Sequence, residues 1–456
     1  MTSVPRPQPG APHPYAFPEV ARAALANGLR IAVSRMPRLP LVTVLALVDA
    51  GASRDAREAE GSAALTASAL GEGTKRLDGA DLAEQFELLG TGLDGTGNWD
   101  GATVRLTVTP PRLEAAIVLL GEVLSTPAFR GRDVERLKAE RLAELLRLQA
   151  EPRALADAKF AEFLYVMGSR YAIPEGGNLV SVRSLDTAKA RAFHNRYYTP
   201  RTTTLIFVGD VTFEQATLLT ERALGAWSGG VPAVEAVDDR TVSETRRVMV
   251  VHKVDAPQSE LRVGHRGVPR RHEDYFPIMV MNALLGGLFS SRINLNLRER
   301  NAFTYGARSA FDWRRGSGPF VVSTAVKSDV TDAATREIIG EITQLREETI
   351  GDGELSLATA YLDGVFPIRY ETTNAVADAI AIAEMYNLGE DYYDRYRERV
   401  RAVTIADVRL AAETHLHPDE LLVLAVGDAN AICEPLRQLA LGPIEVHEAE
   451  EQGASR

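Results

Sequence analysis

Cysteine is almost absent. Cys433 stands alone in 456 residues, which excludes an intrachain disulfide and a thiolate metal cluster and leaves this thiol as a small apolar packing residue. Positive charge is in the minority: 51 Lys+Arg against 62 Asp+Glu give a net charge of −11. That sign argues against nucleic acid or an anionic membrane surface as the main partner. No apolar run approaches the ~18 residues that span a bilayer. The first residues, Met1 to Pro18, are rich in proline and lack the apolar core of a signal peptide. A cytoplasmic protein without membrane or nucleic-acid partners is the expectation. Missing too are a Gly-x-Ser-x-Gly elbow, a Walker-type phosphate loop, and any His-x-x-x-His or His-x-x-Glu-His pair on one helix turn. Among the histidines, His194 lies at an aromatic helix end and reads as a packed structural residue. His415-x-His417, just before Pro418, reads as a helix end rather than a metal site. Leu285-Gly286-Gly287-Leu288 is too short and apolar to cradle phosphate, and close packing explains it better.

What is present is an ordinary globular balance, 45% hydrophobic and 25% charged, over a length that suggests two to four domains at roughly 150 residues each. Six prolines within residues 1–18 predict a flexible leader. Strands are expected at Leu29 to Ser34 and Leu41 to Val48, and again at Leu93 to Thr96 and Ala102 to Val108. Helices are expected near 60–71, 80–89, 111–125 and 133–150. The two halves repeat. Ile31-Ala32-Val33 and Val248-Met249-Val250 both open a strand, at an offset of 217 (248 − 31), and Val208-Gly209-Asp210 and Val426-Gly427-Asp428 both close one, at 218 (426 − 208). The expected layout is a domain at 19–228, a linker at 229–247, a second domain at 248–446 and a loose tail at 447–456. Strand pairs followed by blocks of helix make each half α+β, a mostly antiparallel sheet covered by helices.

Several motifs carry a resemblance. Ala50-Gly51-Ala52-Ser53 is followed by Gly61, Gly73-Thr74-Lys75-Arg76, Phe193-His194-Asn195-Arg196-Tyr197-Tyr198-Thr199-Pro200 and Val208-Gly209-Asp210. The second half has Gly286-Gly287-Leu288-Phe289-Ser290-Ser291-Arg292, Leu297-Arg298-Glu299-Arg300 and Thr304-Tyr305. In this order the chain resembles the pitrilysin/insulinase family of inverted-motif zinc peptidases, which includes the mitochondrial processing peptidase. The resemblance covers about residues 25–445. It implies two homologous halves that form half of a clamshell around unfolded peptide.

Active members of that family carry Gly-x-x-His-x-x-Glu-His on the motif helix. Aligned on Gly61 and Gly73-Thr74, those three positions are here Ala64, Ala67 and Ser68. Methyl groups ligate no zinc and activate no water, and a serine hydroxyl is a poor ligand. Glu144 matches the family's third ligand, with Glu140 one turn earlier, and reads on its own as a solvated helix charge. No metal is expected in this chain. The resemblance also implies an arginine–tyrosine pair, matched by Arg298 and Tyr305, with Arg292 and Arg300 as neighbouring alternates. Some bacterial members pair a zinc-bearing subunit with one that supplies such a pair to stabilise an oxyanion. Read from the residues alone, Arg298 is an arginine favoured near a helix C-terminus and Tyr305 an ordinary tyrosine. The expected function is that of a non-catalytic subunit. It binds peptide in the clamshell cavity and supplies Arg298 and Tyr305 in trans to a partner with an intact His-x-x-Glu-His and its zinc. The rival is a silent scaffold or peptide-binding homodimer. Peptide is expected to add as a strand along Leu93 to Trp99, an edge weakened by glycine.

Overall fold

The structure, a computed structural model, describes residues 14–348 and 350–449. Strands β1 (Ala21–Ala24), β2 (Arg30–Arg35), β3 (Val42–Val48), β4 (Asp94–Gly97), β5 (Ala102–Val108) and β6 (Thr203–Gly209) form one six-stranded sheet in the order β1-β2-β6-β3-β5-β4. Strands β7 (Arg247–His252), β8 (Gln258–Arg266), β9 (Ala307–Phe311), β10 (Pro319–Lys327), β11 (Leu422–Gly427) and β12 (Ile444–Glu448) form a second, in the order β12-β7-β11-β8-β10-β9. The repeat read from the sequence is therefore a repeat of topology. β2 runs parallel to β6 with Ile31 opposite Leu205, and β7 runs parallel to β11 with Val248 opposite Val423. Only the outer edges differ. β1 arrives from the N-terminal side and pairs antiparallel, whereas β12 arrives from the C-terminal side and pairs parallel.

The central strands β3 and β6 are buried at every position. Their apolar and β-branched runs suit a strand covered on both faces, whereas β5 alternates buried and half-buried residues. Gly209 ends β6 with φ 142°, where a Cβ would lie 2.0 Å from the Leu41 carbonyl oxygen, so the turn beside β3 requires glycine.

Helices α1 (Ser62–Ala69), α2 (Gly131–Ala150) and α3 (Pro152–Leu164) belong to the first half; α4 (Tyr275–Asn282), α5 (Asp352–Arg369), α6 (Thr373–Tyr386) and α7 (Ile405–His415) belong to the second. The halves exchange helices. α3 packs on β8 and β11 of the second sheet, and α6 packs on β3 and β6 of the first. Phe160 and Leu164 are thus buried with Val251 and Leu424, and Leu45 and Ile206 with Val376 and Ile380.

Four expectations need correction. Residues 1–13 lie outside the described residues, but the two aromatics of the expected leader are packed: Phe17 stacks on Tyr393 at 4.6 Å, and the Tyr15 hydroxyl donates to the Tyr370 carbonyl at 3.0 Å. Aromatic burial outweighs the prolines there. The start of the expected loose tail, His447 and Glu448, is in β12; residues 450–456 lie outside the described residues. The expected linker ends in a strand, since Arg247 opens β7, and its Thr241 bridges to Tyr165 while the Asp239 carboxylate accepts from the Ser317 N–H at 2.7 Å. It is a seam between the halves. Finally, Tyr275–Arg300 is apolar and long enough by composition to cross a membrane. It is broken where Leu288 turns extended, and Ile278, Val280, Leu285 and Leu297 bury it in the second core.

Candidate functional site

Helix α1 starts at Gly61, whose φ of 98° is left-handed and whose absent Cβ leaves room for the Gly176 carbonyl. The Asp55 carboxylate accepts from the Gly61 and Ala63 N–H groups, each at 2.8 Å, which places negative charge at the positive end of the helix. Arg170 completes that buried cap at 2.9 Å.

From this start α1 presents Ala64 and Ser68, one turn apart, to a cavity of about 840 Å³. Glu144 of α2 lines the same cavity. Ala67 is buried and turns toward β4, where a Cβ on Gly95 would lie 3.1 Å from the Ala67 carbonyl oxygen. The structure therefore brings Ala64, Ser68 and Glu144 to one wall. None of the three presents an imidazole, and Glu144 is already engaged: Arg141 Nη1 lies 2.7 Å from its Oε2. Arg141 Nε also donates to the Gly176 carbonyl at 3.1 Å, and a Cβ on Gly176 would sit 2.3 Å from Arg141 Nη2. A permanent cation is thus wedged beside the one remaining carboxylate of the motif. Glu140 pairs with Arg136 at 2.7 Å. Two imidazole donors short and carrying this guanidinium, the wall does not fit zinc.

The facing wall is aromatic and basic. The Arg314 guanidinium stacks over Trp99 at 4.1 Å and Tyr171 at 4.6 Å and is held by Asp312 through Nε at 2.9 Å. Its Nη1 is buried with no hydrogen-bond partner among the described residues. Glu175 lines the same cavity, and burial pushes its carboxyl above the usual range. The short strand β4, with Gly97 on the cavity, is an edge strand of the first sheet and, among the described residues, pairs only with β5.

Arg298 and Tyr305 are placed apart from this wall. Arg298 lies in the helical turn Leu295–Arg300, its guanidinium 4.4 Å from the Phe289 ring and 3.4 Å from Glu299. Tyr305 is 97% exposed, two residues before β9, and lines a second hollow with Arg153, Glu260, Arg262 and Arg308. No hydrogen bond joins Arg298 to Tyr305 among the described residues. Of the alternates, Arg292 is held by Glu354 through two bonds of 2.8 Å, and Arg300 is exposed.

Residues 30–166 match the family described as Insulinase (Peptidase family M16), and residues 184–362 match the domain described as Peptidase M16 inactive domain. The first lies within the first half of the repeat; the second begins in the first half, before β6, and runs into α5 of the second. The chain belongs to the M16 peptidase family. Among M16 relatives, it is 22% identical to an uncharacterized zinc protease of Streptomyces coelicolor over 86% of each chain. It is also 22% identical to a probable mitochondrial-processing peptidase subunit beta of Arabidopsis thaliana, over 91% of this chain and 80% of the relative. The crystal structure of a peptidase M16 inactive domain from Pseudomonas fluorescens superposes with a TM-score of 0.84 at 24% identity, covering 91% of this chain and 99% of that one. That likeness establishes the shared two-domain α+β fold.

Two residues on this cavity, Arg141 and Arg314, escaped sequence reasoning. Arg141 is one charge among many on an amphipathic helix, and Arg314 lies in a loop between strands. The Gly176-Gly177 pair was the available signal for Arg141, because only a residue without Cβ lets that guanidinium approach.

Proposed function

We propose that this M16 chain is the non-catalytic subunit of a heterodimeric, cytoplasmic zinc peptidase. It contributes half of the peptide cavity, while the partner carries the His-x-x-Glu-His and the zinc. The observation that carries the reading is the wall of α1 and α2. The cavity, its aromatic flank and the β4 edge are intact, yet the ligand positions hold Ala64 and Ser68, and Arg141 neutralises Glu144. Such a wall holds peptide and leaves the metal to another chain.

In this reading Arg298 and Tyr305 reach the partner's zinc site and donate hydrogen bonds to the oxyanion that forms as the peptide carbonyl is attacked. Tyr305 is free to do so, being fully exposed. Arg298 must first leave Phe289. The test is reconstitution with a co-purifying subunit of similar length that has the intact motif. Arg298→Ala and Tyr305→Phe are each expected to lower kcat by about 10²–10³ while leaving peptide affinity close to the parent's. Full turnover by both variants would assign the pair to structure.

The rival reading, a silent scaffold, is favoured by one observation: Arg298 is held by Phe289 and Glu299, away from Tyr305. It predicts no co-purifying partner with the zinc motif.

A further inference from the structure

The second half holds a cluster that neither the M16 assignment nor the peptide cavity uses. Helix α7 ends at His415, against the start of α4. Asp274 is the residue before α4, the N-cap position, where an aspartate usually accepts from the backbone of its own helix. Here its side chain makes no cap hydrogen bond. Its Oδ2 turns instead to His415 Nε2 at 2.8 Å, and His272 Nδ1 lies 3.8 Å from the same oxygen. The two imidazole rings stand nearly perpendicular, 83° apart with centroids at 4.8 Å. One ligand atom from each of the three residues falls within 4.8 Å of the other two.

We propose that His272, Asp274 and His415 form a divalent-cation site of the zinc class. Donors bound at about 2.0–2.1 Å in a tetrahedron are about 3.3–3.4 Å apart; the two separations to Asp274 Oδ2, 2.8 and 3.8 Å, bracket that edge, and the two imidazole nitrogens, within 4.8 Å of each other, close onto the ion. Two imidazoles and one carboxylate suit zinc, cobalt or nickel rather than magnesium or calcium. The negative end of the α7 dipole at His415 adds to the attraction for a cation. Binding has a visible cost, because His272 Nδ1 now accepts the Asp274 N–H at 3.2 Å and must give that bond up. Water takes the fourth position. The site lies in the opposite half from Ala64, Ser68 and Glu144. It ties the loop before α4 to the end of α7, and its role is to staple two helices rather than to cleave peptide.

The test uses the full-length, tag-free chain after chelator treatment. Cobalt(II) titration is expected to give visible absorption bands that saturate at one equivalent and are displaced by zinc. The melting temperature should rise as the bands grow. His415→Gln, Asp274→Asn and His272→Ala should each weaken cobalt binding by at least about 100-fold, the upper end of what loss of an outer-shell partner costs. Glu144→Gln should bind as the parent does, which separates this site from the degenerate motif. His272 is on a half-exposed loop, so His272→Ala remains informative if either of the other variants fails to fold. Absence of a saturable band at one equivalent overturns the proposal. So does parent-like affinity in a folded His272→Ala or Asp274→Asn.

Discussion

His194 shows how one residue's environment fixes its protonation. Its ring is buried between Phe129 and Tyr198, and Nε2 donates to the Leu124 carbonyl at 2.9 Å. Burial pushes the imidazole below its ordinary value of 6.5. An unfolded chain takes up a proton at this residue once the pH falls below about 6.5, while the folded chain resists. Stability from His194 is therefore whole above that pH and lost as the pH drops toward the lowered folded value, at no more than about 1.4 kcal/mol per pH unit. Denaturant midpoints compared at pH 7.5, 6.5 and 5.5 should show a shallower acid loss in His194→Gln than in the parent. Equal slopes would mean that His194 titrates normally. The packed role was legible in the sequence because Phe193, Tyr197 and Tyr198 surround it. Its partner carbonyl was not, since Leu124 is 70 residues away.

At the scale of the helix pair α1 and α2, the family resemblance and its alignment on Gly61 and Gly73-Thr74 were enough to single out Ala64, Ser68 and Glu144, which line one wall. They could not reveal Arg141, because a helix charge three residues before a glutamate reads as a solvated pair; only the approach of the Gly176 loop makes it part of the site. This bears on rebuilding the motif. Ala64→His, Ala67→Glu and Ser68→His together restore the ligand types, but the imidazoles enter space packed around small residues, at about 1–3 kcal/mol for overpacking. The Arg141 guanidinium also repels an incoming dication. In an Asp274→Asn background, the triple variant is expected to bind zinc weakly. Adding Arg141→Ala should tighten binding at least about 10-fold, and adding Glu144→Gln should reverse that gain. Zinc titration of the folded proteins measures all three. Affinity indifferent to both Arg141 and Glu144 would show that these two residues do not share the motif's metal position.

At the scale of the molecule, the repeat carries a feature that offsets along the sequence do not disclose. α3 and α6 are equivalent, at an offset of 221 from Pro152 to Thr373 (373 − 152), and each covers the other half's sheet. Asp157 of α3 and Asp378 of α6, also 221 apart (378 − 157), each form an ion pair with an arginine of the opposite sheet, Arg262 and Arg105. Arg262 is 1% exposed, so its charge depends on that crossing helix together with Glu260. Asp100, buried at the same seam, accepts from the Arg315 N–H and the Tyr386 hydroxyl, each at 3.0 Å. Pattern reading found two domains because each sheet has its own strand signals. It could not find the exchange, because α3 and α6 have apolar faces that say nothing about which sheet they cover. A consequence follows for the chain cut within the 229–246 seam. The 19–228 fragment alone leaves Leu45, Leu47, Ile206 and Val208 without α6, and the 248–446 fragment leaves Met249, Val251, Leu424 and Val426 without α3. Neither fragment should melt cooperatively, and each should bind a hydrophobic dye. Co-expressed, the two should associate and regain a single melting transition. The measurements are circular dichroism melts and size-exclusion chromatography of each fragment and of the pair. A fragment that melts cooperatively as a monomer would show that its sheet needs no helix from the other half, and that the exchange seals two independent domains rather than building one folding unit.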